Sequence, residues 1–172
     1  MVYRTKTYIA ADWDHDKDAV DQLYRWKNGQ KWSLDFHDAH ELTQSRDSSL
    51  PCSIKTSLKT RMDASKTFVL IVGDHTDLVT KGSCHLCKSY NNYYGYCVKG
   101  YTVDKRSFVK FECDKAVEAG IKIVVLYNDV RVNKLKCPSV VKYKGTQVAM
   151  IYKVADGKYY WDYNAVKKAL EA

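Results

Sequence analysis

One acid in this 172-residue chain stands on the apolar side of a helix. In the run SFVKFECDKAVEAGIKIVVLY, Ser107 to Tyr127, a projection at about 100° per residue puts Glu112 among Phe108, Ala116 and Val109, with Lys110, Asp114 and Glu118 on the opposite half. An ionised carboxylate in apolar surroundings costs several kcal/mol unless it is paired or protonated. Two readings follow. Glu112 pairs with a nearby lysine or caps backbone groups, or it is held there for chemistry that needs a carboxylate shielded from water. The helix N-terminus favours its charged form, and burial favours the neutral one.

Other residues with chemical potential fall in loops. DWDHDKD supplies Asp12, Trp13 and His15, Asp38 ends LDFHD, and Asp74 follows FVLIVG. Trp13 offers a ring that can stack on another ring. Asp12, Asp14 and Asp74, with Lys153, also suggest the layout of a phosphoacceptor receiver, whose paired acids hold Mg²⁺. Here Trp13 separates the two loop acids, and neither Tyr127 nor Asn128 is a serine or threonine. Cys84, Cys87 and Cys97, with His85, contain a C-x-x-C half-site for zinc, but a fourth ligand is not evident. With six cysteines at scattered spacings, reduced thiols are the expectation, and no metal is assigned.

The elements that must position these residues are read from periodicity. TKTYIAA is a first strand, and Asp16 to Trp26 carries helical spacing ended by Gly29. WSLDFHD alternates as a second strand, and a polar loop runs on to Pro51. Ile54, Leu58 and Met62 form a helix stripe, and KTFVLIVGD is a third strand buried on both faces. The stretch from His75 to Lys105, rich in Tyr, Asn, Gly and Cys, reads as an insertion. A helix over Lys105 to Ala119, a glycine stop at Gly120 and the strand IKIVVLY follow. TQVAMIYKV is a fifth strand, and WDYNAVKKALEA a last helix capped by Asp162. Alternation of strand and helix predicts one α/β domain over residues 1–172, with a five-stranded parallel sheet, helices on both faces and an inserted loop at about 75–105. Ligands in such sheets gather at the carboxyl ends of the strands, which are the loops carrying Asp12, Asp38 and Asp74.

Composition narrows the classes. A hydrophobic fraction of 45% and a charged fraction of 28% are globular values. A net charge of +8 suits anionic partners, but the basic residues are dispersed, so nucleic acid is not expected. No run approaches the roughly 20 apolar residues of a membrane span, and MVYRTKTYIAADWD lacks a signal peptide's apolar core. The expected compartment is the cytoplasm.

DASKTFVLIVGDHT, the loop, and then SFVKFECDKAVEAGIKIVVLY resemble the core of a TIR-like domain of the bacterial kind found in Thoeris antiphage systems, as do KTYIAADWDHD and LDFHD. The resemblance implies a three-layer, flavodoxin-like fold. In TIR domains the helix after the third strand carries a W-C-x-x-E pattern, whose glutamate is catalytic in NAD-cleaving members. Phe108 to Glu112 stand in that register, with Phe108 for the tryptophan and Val109 for the cysteine. The first loop lacks the usual F-x-S-Y wording, and the insertion is longer than the family's loop. The resemblance implies an NAD-cleaving signalling protein of antiphage defence, with Glu112 as the catalytic residue. Asp12, Trp13, His15, Asp38, Asp74 and Phe108 would lie along the nucleotide. NAD is substrate and no cofactor is implied. The product would be ADP-ribose or a cyclic relative that reaches an effector protein, and the domains would self-associate. The alternative is a non-enzymatic interaction or nucleotide-binding module in signal transduction.

Overall fold

The computed structural model describes residues 3–39 and 50–172. Its centre is a four-stranded parallel sheet in the order β1, β2, β5, β6, formed by Lys6–Ala10, Ser65–Val72, Lys122–Tyr127 and Thr146–Ala149. The central strands are apolar on both faces, as their continuous Val, Ile and Leu runs require. On one face Tyr8, Phe68, Leu70, Val125 and Tyr127 pack with residues of α2 (Pro51–Asp63) and α3 (Phe108–Glu118). On the other, Ile9, Val69, Ile71, Val124 and Leu126 pack with residues of α1 (Lys17–Asn28) and α4 (Tyr163–Glu171). Each large apolar side chain buried this way contributes about 1.5–3 kcal/mol before entropy is counted.

Five strands were expected in the sheet, and among the described residues four form. The second, WSLDFHD, shrinks to a single parallel bridge between Thr7 and Asp38. The Thr7 amide donates to the His37 carbonyl at 2.6 Å, and the Ala39 amide to the Thr7 carbonyl at 3.0 Å. Upstream, the Leu34 amide turns instead to the carbonyl of Trp26. The alternation that suggested a strand is kept in burial: Leu34, Phe36 and Asp38 face inward and Asp35 and His37 outward. The polar loop expected after Asp38 falls largely on residues 40–49, outside the described residues. The expected fifth strand is also divided. After β6, the fully buried Met150 donates to the Tyr127 carbonyl and accepts from Asp162. The chain then leaves the sheet as β7 (Ile151–Lys153), which pairs antiparallel with β8 (Tyr159–Trp161).

The helix bearing Glu112 begins three residues later than the pattern suggested. Ser107 is extended, and its Oγ accepts from the Lys110 amide at 3.2 Å, an ordinary N-cap. At its other end Gly120 adopts φ 61°, the left-handed stop. Asp162 caps α4 through the Ala165 amide, as expected.

The insertion is a folded excursion. It holds two 3-10 turns, Thr76–Leu78 and Cys84–Leu86, and a short hairpin of β3 (Tyr90–Asn91) and β4 (Tyr96–Cys97). Its neck is fastened by the Phe108 amide on the Lys81 carbonyl at 2.8 Å and the Cys84 amide on the Asp104 carbonyl at 3.0 Å. The buried Lys55 of α2 donates to the Asp104 and Arg106 carbonyls at 3.1 and 2.6 Å and sits 3.4 Å from the Asp104 carboxylate. At Gly82, with φ 93°, a Cβ would lie 2.5 Å from the Phe108 ring. Only glycine lets the neck pass so close to that ring.

Candidate functional site

Glu112 is 7% exposed. Its second-turn position aims it at the sheet, where Tyr8 points up from the middle of β1. The Tyr8 hydroxyl donates to Glu112 Oε1 at 2.5 Å. Burial pushes the Glu112 carboxyl up from its usual 4.5 to about 8, against the opposing pulls of the Tyr8 hydroxyl and the Arg61 charge. Tyr8 is driven up as well, first by burial, then by Glu112, with Asp38 adding to the effect. At neutral pH Glu112 therefore holds its proton. Asp38, buried at the edge of the sheet beside Thr7, accepts from the Tyr24 hydroxyl of α1.

A second group of residues crowns the carboxyl ends of β1, β2 and β5. Asp16 is 3% exposed and ties the three ends together. It accepts from Asn128 Nδ2 at 3.0 Å and from the Thr76 hydroxyl at 3.4 Å, while Thr76 Oγ1 receives the Gly73 amide. Burial raises its carboxyl, with Asn128 and Thr76 opposing. A Cβ on Gly73 would fall 1.9 Å from Asp16 Oδ1, so the strand must end in glycine for the acid to fit. Beside it, His15 Nδ1 lies 2.6 Å from the buried Asp12 carboxylate, and the His15 and His75 rings stand 4.2 Å apart. The crest thus presents two imidazoles over a buried acid at adjacent strand ends.

The residues singled out by sequence separate into these two groups and four outliers. Glu112 meets Tyr8, Asp38 meets Tyr24, and Asp12 and His15 share the crest. Trp13 is exposed to solvent. Asp74 is a surface acid 2.5 Å from Lys136 Nζ. Phe108 packs against Gly82 and the α2–α3 core. Lys153, weighed as part of a receiver site, lies over the Tyr159 ring on the β7–β8 hairpin. Tyr8, Arg61, Asp16 and His75 were not picked out. A hydroxyl in the middle of a doubly buried strand is the signal that could have flagged Tyr8, because it requires a polar partner.

Two broad grooves open on the surface, and neither is lined by Glu112, Tyr8 or the crest residues. One of about 530 Å³ is lined by Asp129, Val130, Arg131, Asn133, Lys153 and Tyr159 after β5, and one of about 400 Å³ by Asp21, Tyr24, Arg25 and Asn28 on α1. Among the described residues, no three His, Cys, Asp or Glu side chains are placed to hold a metal ion. None of the described helices is long and apolar enough to cross a membrane.

Residues 8–79 match the family model described as Thoeris protein ThsB, TIR-like domain. The resemblance read from the sequence holds over this span. The ThsB-like stretch runs from Tyr8 in β1 to the turn after β2 and contains Asp12, His15, Asp38, Asp74 and His75. It ends before the insertion's hairpin and before α3, and so does not reach Glu112. No curated protein matches the chain.

Proposed function

We propose that this protein is a TIR-like signalling enzyme of antiphage defence, acting in the cytoplasm by cleaving NAD at the nicotinamide–ribose bond, with Glu112 as its catalytic carboxylate. A flavodoxin-like layering, with residues 34–38 as a residual fifth strand beside β1, accompanies this reading. The observation that carries it is the burial of Glu112 against Tyr8, on the helix where the TIR pattern puts its acid, in a chain whose preceding residues match the ThsB domain.

The chemistry suits one carboxylate. The bond from ribose C1′ to the pyridinium nitrogen breaks with its electron pair leaving on the ring, which departs neutral and needs no acid. C1′ becomes oxocarbenium-like, as in glycoside cleavage. The acceptor oxygen, from water or from a hydroxyl of the same nucleotide, then bonds to C1′ and gives up its proton. Glu112 is protonated while it sits buried against Tyr8. The cationic ring of NAD would favour its ionised form, and a carboxylate aimed at the ribose stabilises the charge that grows there. Asp38, Asp12 and His15 lie on the ThsB-like stretch, where the rest of the dinucleotide would run, and the net positive charge favours its approach. Self-association would complete the pocket, and the released nucleotide would act on an effector protein.

The full chain at high concentration, incubated with NAD and followed by chromatography of nicotinamide, tests this reading. Release is expected from the wild type and a loss of at least a hundredfold in Glu112→Gln. Equal release from both, or none from either, refutes it. The second reading, a scaffold without turnover, is favoured by how fully Tyr8 fills the reach of Glu112 and by the exposed Tyr93, Tyr94 and Val98 of the insertion. No turnover at any protein concentration would decide for it.

A further inference from the structure

Four of the six cysteines meet where the insertion touches α2. Cys52, in the first turn of that helix, and Cys84, Cys87 and Cys97 line one narrow cavity of about 10 Å³, beside Tyr90 and Tyr101. All are free thiols. Cys52 is distant in sequence, so this gathering is visible only in the fold.

The local geometry favours one pair. The Cys87 amide donates to the Cys84 carbonyl at 3.0 Å, closing a turn whose end Cα atoms stand within about 7 Å. Disulfides span about 4.4–6.8 Å. Both sulfurs also receive backbone amides, Cys84 from Asp104 at 3.2 Å and Cys87 from Ser89 at 3.4 Å. The remaining two cysteines differ. Cys113 and Cys137 are 0% and 1% exposed in the α3–β5 core, where burial pushes both thiols up and out of reach of oxidants.

We propose that Cys84 and Cys87 form an oxidisable dithiol, converted to a disulfide by hydroperoxides, with Cys97 and Cys52 placed to exchange into it. The half-buried Cys87 reacts first. Its sulfur attacks the peroxide, the O–O bond breaks, and the alcohol or water leaves with its electron pair and a proton. Cys84 then attacks the sulfenic sulfur, the S–O bond breaks, and hydroxide departs as water. Two thiols lose two electrons and two protons, and one hydroperoxide takes them up. The same thiols could instead hold a soft metal ion, but no three of them stand ready to do so.

The test uses the full chain, reduced, desalted into chelator and exposed to hydrogen peroxide. Free thiols are then alkylated under denaturing conditions and counted by mass. The count should fall from six to four, with the chain two hydrogens lighter before alkylation, a Cys84–Cys87 link in the peptide map, and full reversal by a dithiol reductant. Cys113 and Cys137 should stay alkylated throughout. Cys87→Ser should slow thiol loss at least tenfold, whereas Cys113→Ser, which leaves the cavity alone, should not. Retention of six thiols under peroxide that oxidises a small dithiol would overturn the assignment. So would a link to Cys113 or Cys137, or one zinc per chain in protein purified without chelator with the four cavity thiols protected.

Discussion

Replacing Glu112 by Gln isolates the energetic consequence of burying an acid. The folded chain holds its proton up to about pH 8, whereas the unfolded chain releases it near 4.5. Between these values the native state binds one more proton than the unfolded state, so stability falls as pH rises. The span is about 3.5 pH units, and at about 1.4 kcal/mol per unit the full loss is about 5 kcal/mol. Water reaching the ionised carboxylate reduces this, so about 3 kcal/mol is expected. Gln keeps the volume and can still accept the Tyr8 hydroxyl, yet cannot ionise. Guanidinium unfolding followed by tryptophan fluorescence at half-unit steps from pH 5 to 8.5 compares the two chains. Every other titrating group is shared, so the difference between the curves reports Glu112 alone. Wild type should lose stability relative to Glu112→Gln across this window, leaving the variant the more stable at pH 8.5. Parallel curves would refute the claim that Glu112 is buried and protonated.

Two further outcomes follow from the same contacts. Tyr8→Phe removes the one donor described on Glu112 and should cost about 1–3 kcal/mol. Because the hydroxyl holds the carboxyl down, the pH at which stability stops falling should move upward, read from the same unfolding series. Lys55→Met strips the donor from two carbonyls and one of two counter-charges from Asp104, which keeps Arg106. It should destabilise by about 3 kcal/mol and speed tryptic cleavage within residues 81–106, with protection near wild type counting against the role given to Lys55.

Much of the scaffold was legible in the sequence because its signals are local. FVLIV and IVVL could only be strands with two apolar faces, and Ser107 and Gly120 bracket the helix between them. The misread strands have a shared cause. WSLDFHD alternates because one side of the segment is buried, which a chain lying beside a sheet achieves without a ladder of hydrogen bonds. TQVAMIYKV carries an unbroken apolar run from Val148 to Tyr152, and its break at Met150 is set by the distant partners Tyr127 and Asp162. Phe111 was given no place on the helix projection. It is buried because Arg106, Lys55 and Lys115 lie over its ring at 5.1 to 5.8 Å, a cover supplied by the insertion's neck and α2. At the site, periodicity exposed Glu112 because a charge in an apolar arc is a local contradiction. Tyr8 stayed hidden because a tyrosine in a strand contradicts nothing until its hydroxyl needs a partner 104 positions away.

The fastened neck of the insertion makes that segment separable from the domain. With Phe108 joined to Lys81 and Cys84 to Asp104, the chain re-enters the helix almost where it left, so the α/β frame experiences the excursion as a short turn. Lengthening, trimming or exchanging what lies beyond the neck should leave the sheet and its helices standing. The segment is thus a plug-in position at which this scaffold can acquire a new surface without being refolded around it.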